Sequence, residues 1–467
     1  MFFRIQTRAV RNKGRSKLMR LRKIQRRIVR TWKALLVCVL VLLLPQPSPA
    51  YSVLSHEEVV DLAWHDHIVP LLLARFPATT PEQLREAHAY AYGGCIIQDI
   101  GYYPFGSHLF SDLVHYVRTG DFVENLLNES SDVDELAFAL GALAHYTADN
   151  YGHPAVNLAT GQEYPKLRDK FGNIVTYDDN PTAHLQTEFG FDVAEVARNR
   201  YAPQQYHDFI GFSVSKPLLE RAFRDTYGFE VNQIMTHEDL AISTYRYTVS
   251  GLLPKMTRVA VVNYEKELKQ ENPSYARKKF IYRIDRASYK REYGDQYQKP
   301  GAGAKVLAFF IRILPKVGPL KALKLRMPDS QSQQQFVKSM NVVVDHYNHS
   351  LDEISQQPPV ELSLDLPDRN LDTGDATVSG KYRLADFTYA KLLAEIDKHP
   401  ATPVPAPLRA NILAYYQSSP NNYVSLKSKQ WQQTQVNLRA LENAKPVELK
   451  ISNQPTEAQQ APADLNH

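Results

Sequence analysis

Cysteine is almost missing from this chain, with two among 467 residues. Cys38 falls in a basic and apolar leader, which leaves Cys95 alone, so neither a disulfide framework nor a cysteine metal site is available. A bilayer-spanning run is missing as well: Ala34 to Leu44 covers eleven apolar residues, where about twenty are needed. Alternating strand patterns are scarce, which argues against sheet architectures. There is no internal repeat, no glycine loop that would cradle phosphates and no nucleophile elbow around a serine. His56-Glu57 begins like the two-histidine helix of zincins, but Val60 stands where the second histidine would be.

Acid is absent from the first 33 residues, which hold 13 Lys/Arg. The apolar run follows, then PQPSPA, a pattern that fits a secretory signal over residues 1–50 with an unusually long basic n-region. Ser48 and Ala50 suit the small-residue positions of a cleavage site after Ala50. The Arg26-Arg27 pair hints at a twin-arginine route, although the rest of that motif is missing. With 55 Lys/Arg against 50 Asp/Glu the chain carries +5; without the leader's 13 cations it carries −8. The remaining chain therefore lacks the net positive charge of a general nucleic-acid-binding protein. Export, to the periplasm or outside, is the expectation, together with association to a membrane surface.

What the sequence does contain is helix, and an all-α fold is expected. Ser55-x-x-Glu58 reads as a capping box opening a helix to about Arg75. Thr80-Pro81-Glu82-Gln83 is another, ended by Gly93-Gly94. After the loop GCIIQDIGYYPFG, Ser107 caps a helix to Arg118 that Gly120 stops. A long helix is expected from about Val133 to Asn150, with His153 in its fraying last turn before Pro154. Asn180-Pro181 starts the next, to about Arg198. Further helices are expected near 216–224, 235–270, 333–355 and 384–397, with a long loop at 355–382 and a disordered tail at 446–467. The expected organisation is a catalytic helical domain over 51–265 and a mostly helical C-terminal region over 266–445. Residues 305–326 carry six Lys/Arg, no acid and many aliphatics. Such a segment suits a membrane interface or, equally, a packed helix with a solvated basic rim.

The chemistry is concentrated in ALAHYTADNYGHPAVN, residues 142–157. His145, Asp149 and His153 recur at steps of four on one face of an otherwise apolar helix. A buried polar group without a partner costs several kcal/mol, so one agent must satisfy all three, and a metal is the obvious one. His184 and Glu188 form another i, i+4 pair. His56, Asp99 and His115 complete the set, with His108 as a rival for the place of His115; an aromatic follows His115, which favours it. Histidine nitrogen and carboxylate oxygen are the ligands zinc prefers. His65 and His67 suit a solvated helix face, and His88 a satisfied structural histidine.

In this order, Tyr51, His56, Asp99, His115, His145-x3-Asp149, His153 and His184-x3-Glu188, the set resembles the zinc-dependent phospholipase C family, which shares its multi-helix bundle with the single-strand-specific zinc nucleases. The resemblance covers about residues 51–200. It implies three zinc ions. One would be held by Asp99, His115, His145 and Asp149, and a second by His153, His184 and Glu188. A third would take the amino group and carbonyl oxygen of Tyr51 with His56 and a bridging oxygen of Asp149. Asp99 would serve as ligand and proton acceptor. Tyr51 replaces the family's usual Trp, and the Asp149–His153 gap is two residues shorter than usual. Glu188 fits the phospholipase branch, where the nucleases use Asp, whereas the short Tyr51–His56 spacing resembles the nucleases. Three readings follow: an exported phosphodiesterase acting on phospholipid headgroups at a membrane surface, a single-strand nuclease or 3′-nucleotidase, and a zinc-stabilised surface-binding protein without turnover.

Overall fold

The computed structural model describes residues 53–197, 212–247, 327–358, 362–400, 402–418 and 428–443. The expected leader, Tyr51, the basic segment 305–326, the helix beyond residue 247 and the tail 446–467 lie outside these residues. Among the described residues the protein is all-α, with no strand and one isolated bridge between Arg369 and Ala376. None of their helices is long and apolar enough to cross a membrane.

The chain opens with α1 (Val53–Ala63), a π turn (Trp64–Ile68) and α2 (Val69–Arg75), then α3 (Pro81–Gly94) and a 3-10 turn (Ile97–Tyr102). Next come α4 (His108–Tyr116), α5 (Thr119–Asn128), α6 (Val133–Glu163), α7 (Pro165–Phe171) and α8 (Pro181–Ala197). After them stand α9 (Lys216–Tyr227), α10 (Val231–Ile234) and α11 (Glu238–Tyr247). The C-terminal part adds α12 (Ser330–Ser355), α13 (Arg383–Lys398), α14 (Ala406–Gln417) and α15 (Ser428–Asn443).

α6 is the axis. Its middle is buried on every side, as expected of a helix apolar all round, and α3, α12, α5, α8 and α1 pack against it. The α3–α6 contact is close because two glycines allow it. A Cβ on Gly141 would stand 2.1 Å from the Ala91 carbonyl oxygen, and one on Gly94 would stand 1.9 Å from that of Phe138. Neither position admits a side chain without moving backbone. From the C-terminal side, α12 lays Phe336 on Phe191 at 4.4 Å and donates a hydrogen bond from Tyr347 to the Leu140 carbonyl at 2.9 Å. One apolar cluster thus runs from Val53 to Leu441.

Three local expectations are corrected. Ser55 does not cap α1; the helix already begins at Val53, and the Leu54 N–H and Ser55 hydroxyl both donate to Asp192 of α8. An acid from another helix replaces the local cap, which no local pattern reveals. Gly120 does not stop α4. That helix ends at Tyr116, Arg118 turns the chain in the left-handed region (φ 50°), and Gly120 lies in the first turn of α5. Pro154 does not end α6, which runs on to Glu163. Proline withholds one N–H from the Asn150 carbonyl, and at that carbonyl the chain of Gly374 passes so closely that a Cβ there would lie 2.2 Å away. The Thr80–Gln83 capping box, the end of α3 at Gly94 and the start of α8 at Pro181 are as expected.

Candidate metal centre

Five elements bring eight of the nine expected ligands to one place; the ninth, Tyr51, is outside the described residues. α1 supplies His56, the 3-10 turn Asp99, α4 His115, α6 His145, Asp149 and His153, and α8 His184 and Glu188. Each is 2 % exposed or less. Their ligand atoms form three sets, each within 4.8 Å: His56–His145–Asp149, Asp99–His115–His145 and His153–His184–Glu188. His108 stays outside these sets, its ring edge-on to Tyr102, while His115 lies inside one.

Asp149 is the hub. Its Oδ1 faces His56 Nε2 at 3.6 Å and His153 Nε2 at 3.4 Å; its Oδ2 faces His115 Nε2 at 3.6 Å and His145 Nε2 at 3.0 Å. His115 Nε2 also lies 3.4 Å from Asp99 Oδ1. Most of these separations exceed the roughly 2.7–3.2 Å of a hydrogen bond. They match the roughly 3.3–3.6 Å between neighbouring ligand atoms of a tetrahedral zinc with bonds of roughly 2.0–2.2 Å. His184 Nε2 and Glu188 Oε1 approach to 2.5 Å without hydrogen-bond geometry. Buried and without hydrogen bonds are both oxygens of Asp99 and Glu188, Oδ1 of Asp149, and Nε2 of His145, His153 and His184. Buried polar atoms are normally satisfied, and so many orphans converging on one point fit a cation cluster.

The opposite ring nitrogens are held by backbone. His115 Nδ1 donates to the Ser111 carbonyl at 2.8 Å, His145 Nδ1 to that of Cys95 at 3.0 Å, and His153 Nδ1 to that of Leu371. Each such bond fixes the tautomer whose free Nε2 faces the centre. Asp99 is fixed through its turn: Ser111 Oγ donates to the Gln98 carbonyl at 2.5 Å and accepts from the Gly101 N–H at 2.9 Å.

The protonation pattern also asks for positive charge. Burial pushes the Glu188 carboxyl well above the usual range, with the Asp149 and Asp99 charges adding to it. Burial and then the neighbouring His153 push His184 well below its ordinary value. That pair is therefore neutral unless a cation holds the carboxylate. Burial likewise raises Asp99, against the pull of His145 and His115. Burial works to raise Asp149 too, but His145 and then His153 bring it below the usual carboxylate range. Burial disfavours the charged form of His115, yet its contact with Asp99 and the Asp99 and Asp149 charges raise it to about 9.

A family model for zinc dependent phospholipase C matches residues 56–233. Over these residues the chain is similar to that family. The match begins at the first described ligand and takes in all eight. No curated protein matches the chain, and no solved structure matches it.

The other histidines read from the sequence, His65, His67 and His88, lie outside these sets. His88 is a buried structural residue, bonded to Asp61 at 3.0 Å and stacked on Trp64 at 3.7 Å. His67 pairs with Asp352 at 2.9 Å on the surface. What sequence reasoning missed is the segment Leu366–Tyr382, expected only as a loop. Its Leu371 carbonyl holds His153, and its Leu371 N–H donates to the His115 carbonyl at 3.0 Å. Both contacts are made by backbone, which leaves no residue-type signal.

Proposed function

We propose that the protein is an exported, three-zinc phosphodiesterase that removes the headgroups of phospholipids at a membrane surface. One observation carries this reading: three buried ligand sets gather around Asp149, which belongs to one and faces His115 and His153 of the other two, inside the stretch that matches the zinc dependent phospholipase C family. The first ion would be held by Asp99, His115, His145 and Asp149. The second would be held by His153, His184 and Glu188. The third would be held by His56, an Asp149 oxygen and the backbone of Tyr51, whose amino group becomes free when the leader is cut after Ala50.

Zinc held by these residues would supply a nucleophile from water at neutral pH and offset the charge that develops on phosphorus and its oxygens. Asp99, with neither oxygen hydrogen-bonded, would accept the proton of the attacking water. A P–O bond would then form to water oxygen while the P–O bond to the glycerol oxygen breaks, and that oxygen would take up the proton from Asp99, giving diacylglycerol and the phosphorylated headgroup. The rings of Tyr102, 5.8 Å from His115, and Tyr177, 5.8 Å from His184, wall the centre and limit stray water. The test is a panel on the purified protein beginning at Tyr51: phosphatidylcholine vesicles, single-stranded DNA and a bis-phosphodiester dye, with and without chelator. Chelator-sensitive release of phosphorylated headgroup is expected. Turnover of DNA without turnover of vesicles would move the protein to the nuclease reading, and turnover of none would remove catalysis.

A further inference from the structure

The family match ends at residue 233, yet the centre does not. The segment Leu366–Tyr382 crosses the end of α4 and the middle of α6 as a strap. One end is pinned to α5 and α6: the Leu366 N–H donates to Glu124 at 2.6 Å, Tyr146 OH donates to the Pro367 carbonyl at 2.5 Å, and Asp368 accepts from the Gly120 N–H at 3.0 Å. Thr119 and Arg369 exchange two hydrogen bonds at 2.8 and 2.9 Å. In the middle, Leu371 touches two ligand-bearing residues through its backbone, as described above. Next to it, the buried Asp372 is held from three sides. Its Oδ2 accepts from Tyr116 OH at 2.7 Å and from Tyr382 OH at 2.5 Å, and its carbonyl accepts from Asn157 Nδ2 at 2.8 Å. Tyr116 follows the ligand His115 in α4, and Asn157 lies one turn beyond the ligand His153 in α6. Asp372 therefore ties the strap to the two helices that carry those ligands, one residue from the carbonyl that sets the His153 ring.

We propose that Asp372 is a positioning residue of the metal centre, clamping the strap so that the Leu371 carbonyl holds His153 in the tautomer whose Nε2 binds zinc. The inference rests on the zinc reading of the centre. It gives the C-terminal part of the chain a duty in metal binding that the family region alone does not have. Acceptors behind a metal-bound histidine fix ring orientation, and losing one costs roughly ten- to hundredfold in metal affinity.

The test measures zinc affinity by competition with a chromogenic chelator, together with the visible spectrum of the cobalt-substituted protein. The full chain is used, with circular dichroism as the check on folding. Asp372→Ala should keep its helical spectrum, bind its weakest zinc roughly ten- to hundredfold less tightly and shift the cobalt bands. Tyr382→Phe, which leaves Tyr116 in place, should give a smaller change of the same sign. As a control, Tyr347→Phe removes the hydroxyl of another buried tyrosine of the C-terminal part, which donates to the Leu140 carbonyl at 2.9 Å outside the strap. It should leave affinity and spectrum unchanged. Should Asp372→Ala fail to fold, Tyr382→Phe decides. Wild-type affinity and spectrum in the folded Asp372 variant, or in Tyr382→Phe if that alone folds, would overturn the proposal. A wild-type chain that binds no zinc would instead remove the reading on which it rests.

Discussion

Asp149 sits among four imidazoles, two facing each of its oxygens. A carboxamide keeps its shape but offers one weakly donating oxygen in place of two charged ones. Asp149→Asn should therefore lower bound zinc by more than one ion and abolish turnover, whereas His145→Ala and His153→Ala should each disturb chiefly one. Metal analysis by plasma mass spectrometry reads the difference, and an Asp149→Asn protein with a full complement of zinc would refute the bridging role. The two histidines of α4 give a sharper contrast. His115→Ala should cost turnover by orders of magnitude and His108→Ala little, because only His115 reaches Asp99 and Asp149. At this scale the sequence was informative. Zinc restricts its ligands to a few residue types, and a helix restricts their spacing, so His145, Asp149, His153, His184 and Glu188 could be picked out in order. The second layer could not, since Ser111, Cys95 and Leu371 contribute carbonyl groups that any residue carries.

Helices were legible where their signals are local and illegible where a partner supplies the signal. Thr80 and Gln83 satisfy each other, so their box could be read; α1 borrows Asp192 from α8, 137 positions from Ser55, so its start could not. Pro154 looked like a stop because proline normally is one. Instead the helix stays closed, and His153 faces the centre one turn after Asp149. The α3–α6 contact links packing to chemistry. Gly141→Ala should force the two backbones apart and destabilise the fold by about 1–3 kcal/mol, seen as a lower denaturation midpoint. It should also weaken zinc binding, because the Cys95 carbonyl that holds His145 lies just past the end of α3. An unchanged midpoint would show that the glycine contact is looser than described.

On the scale of the whole molecule, the metal centre and the apolar core hold the same elements together. Phe336 of the C-terminal part stacks on Phe191 of α8, the helix that also carries His184 and Glu188. Phe336→Ala should cost about 3–5 kcal/mol and lower a single calorimetric transition; two separated transitions would mean that the halves fold independently. Chelation should act in the same direction. An ion bound at a thousand times its Kd adds about 4 kcal/mol of stability, and its removal leaves buried carboxylates without a cation. A melting temperature insensitive to chelator would therefore count against a cluster that spans five elements.

Diffraction from crystals of the protein beginning at Tyr51, recorded on both sides of the zinc absorption edge, tests the centre most directly. The expected result is three anomalous peaks, each within roughly 2.0–2.2 Å of its histidine nitrogens and carboxylate oxygens, with Asp149 touching more than one. A map without peaks, in which the five histidines close on the acids as ordinary hydrogen bonds, would contradict it.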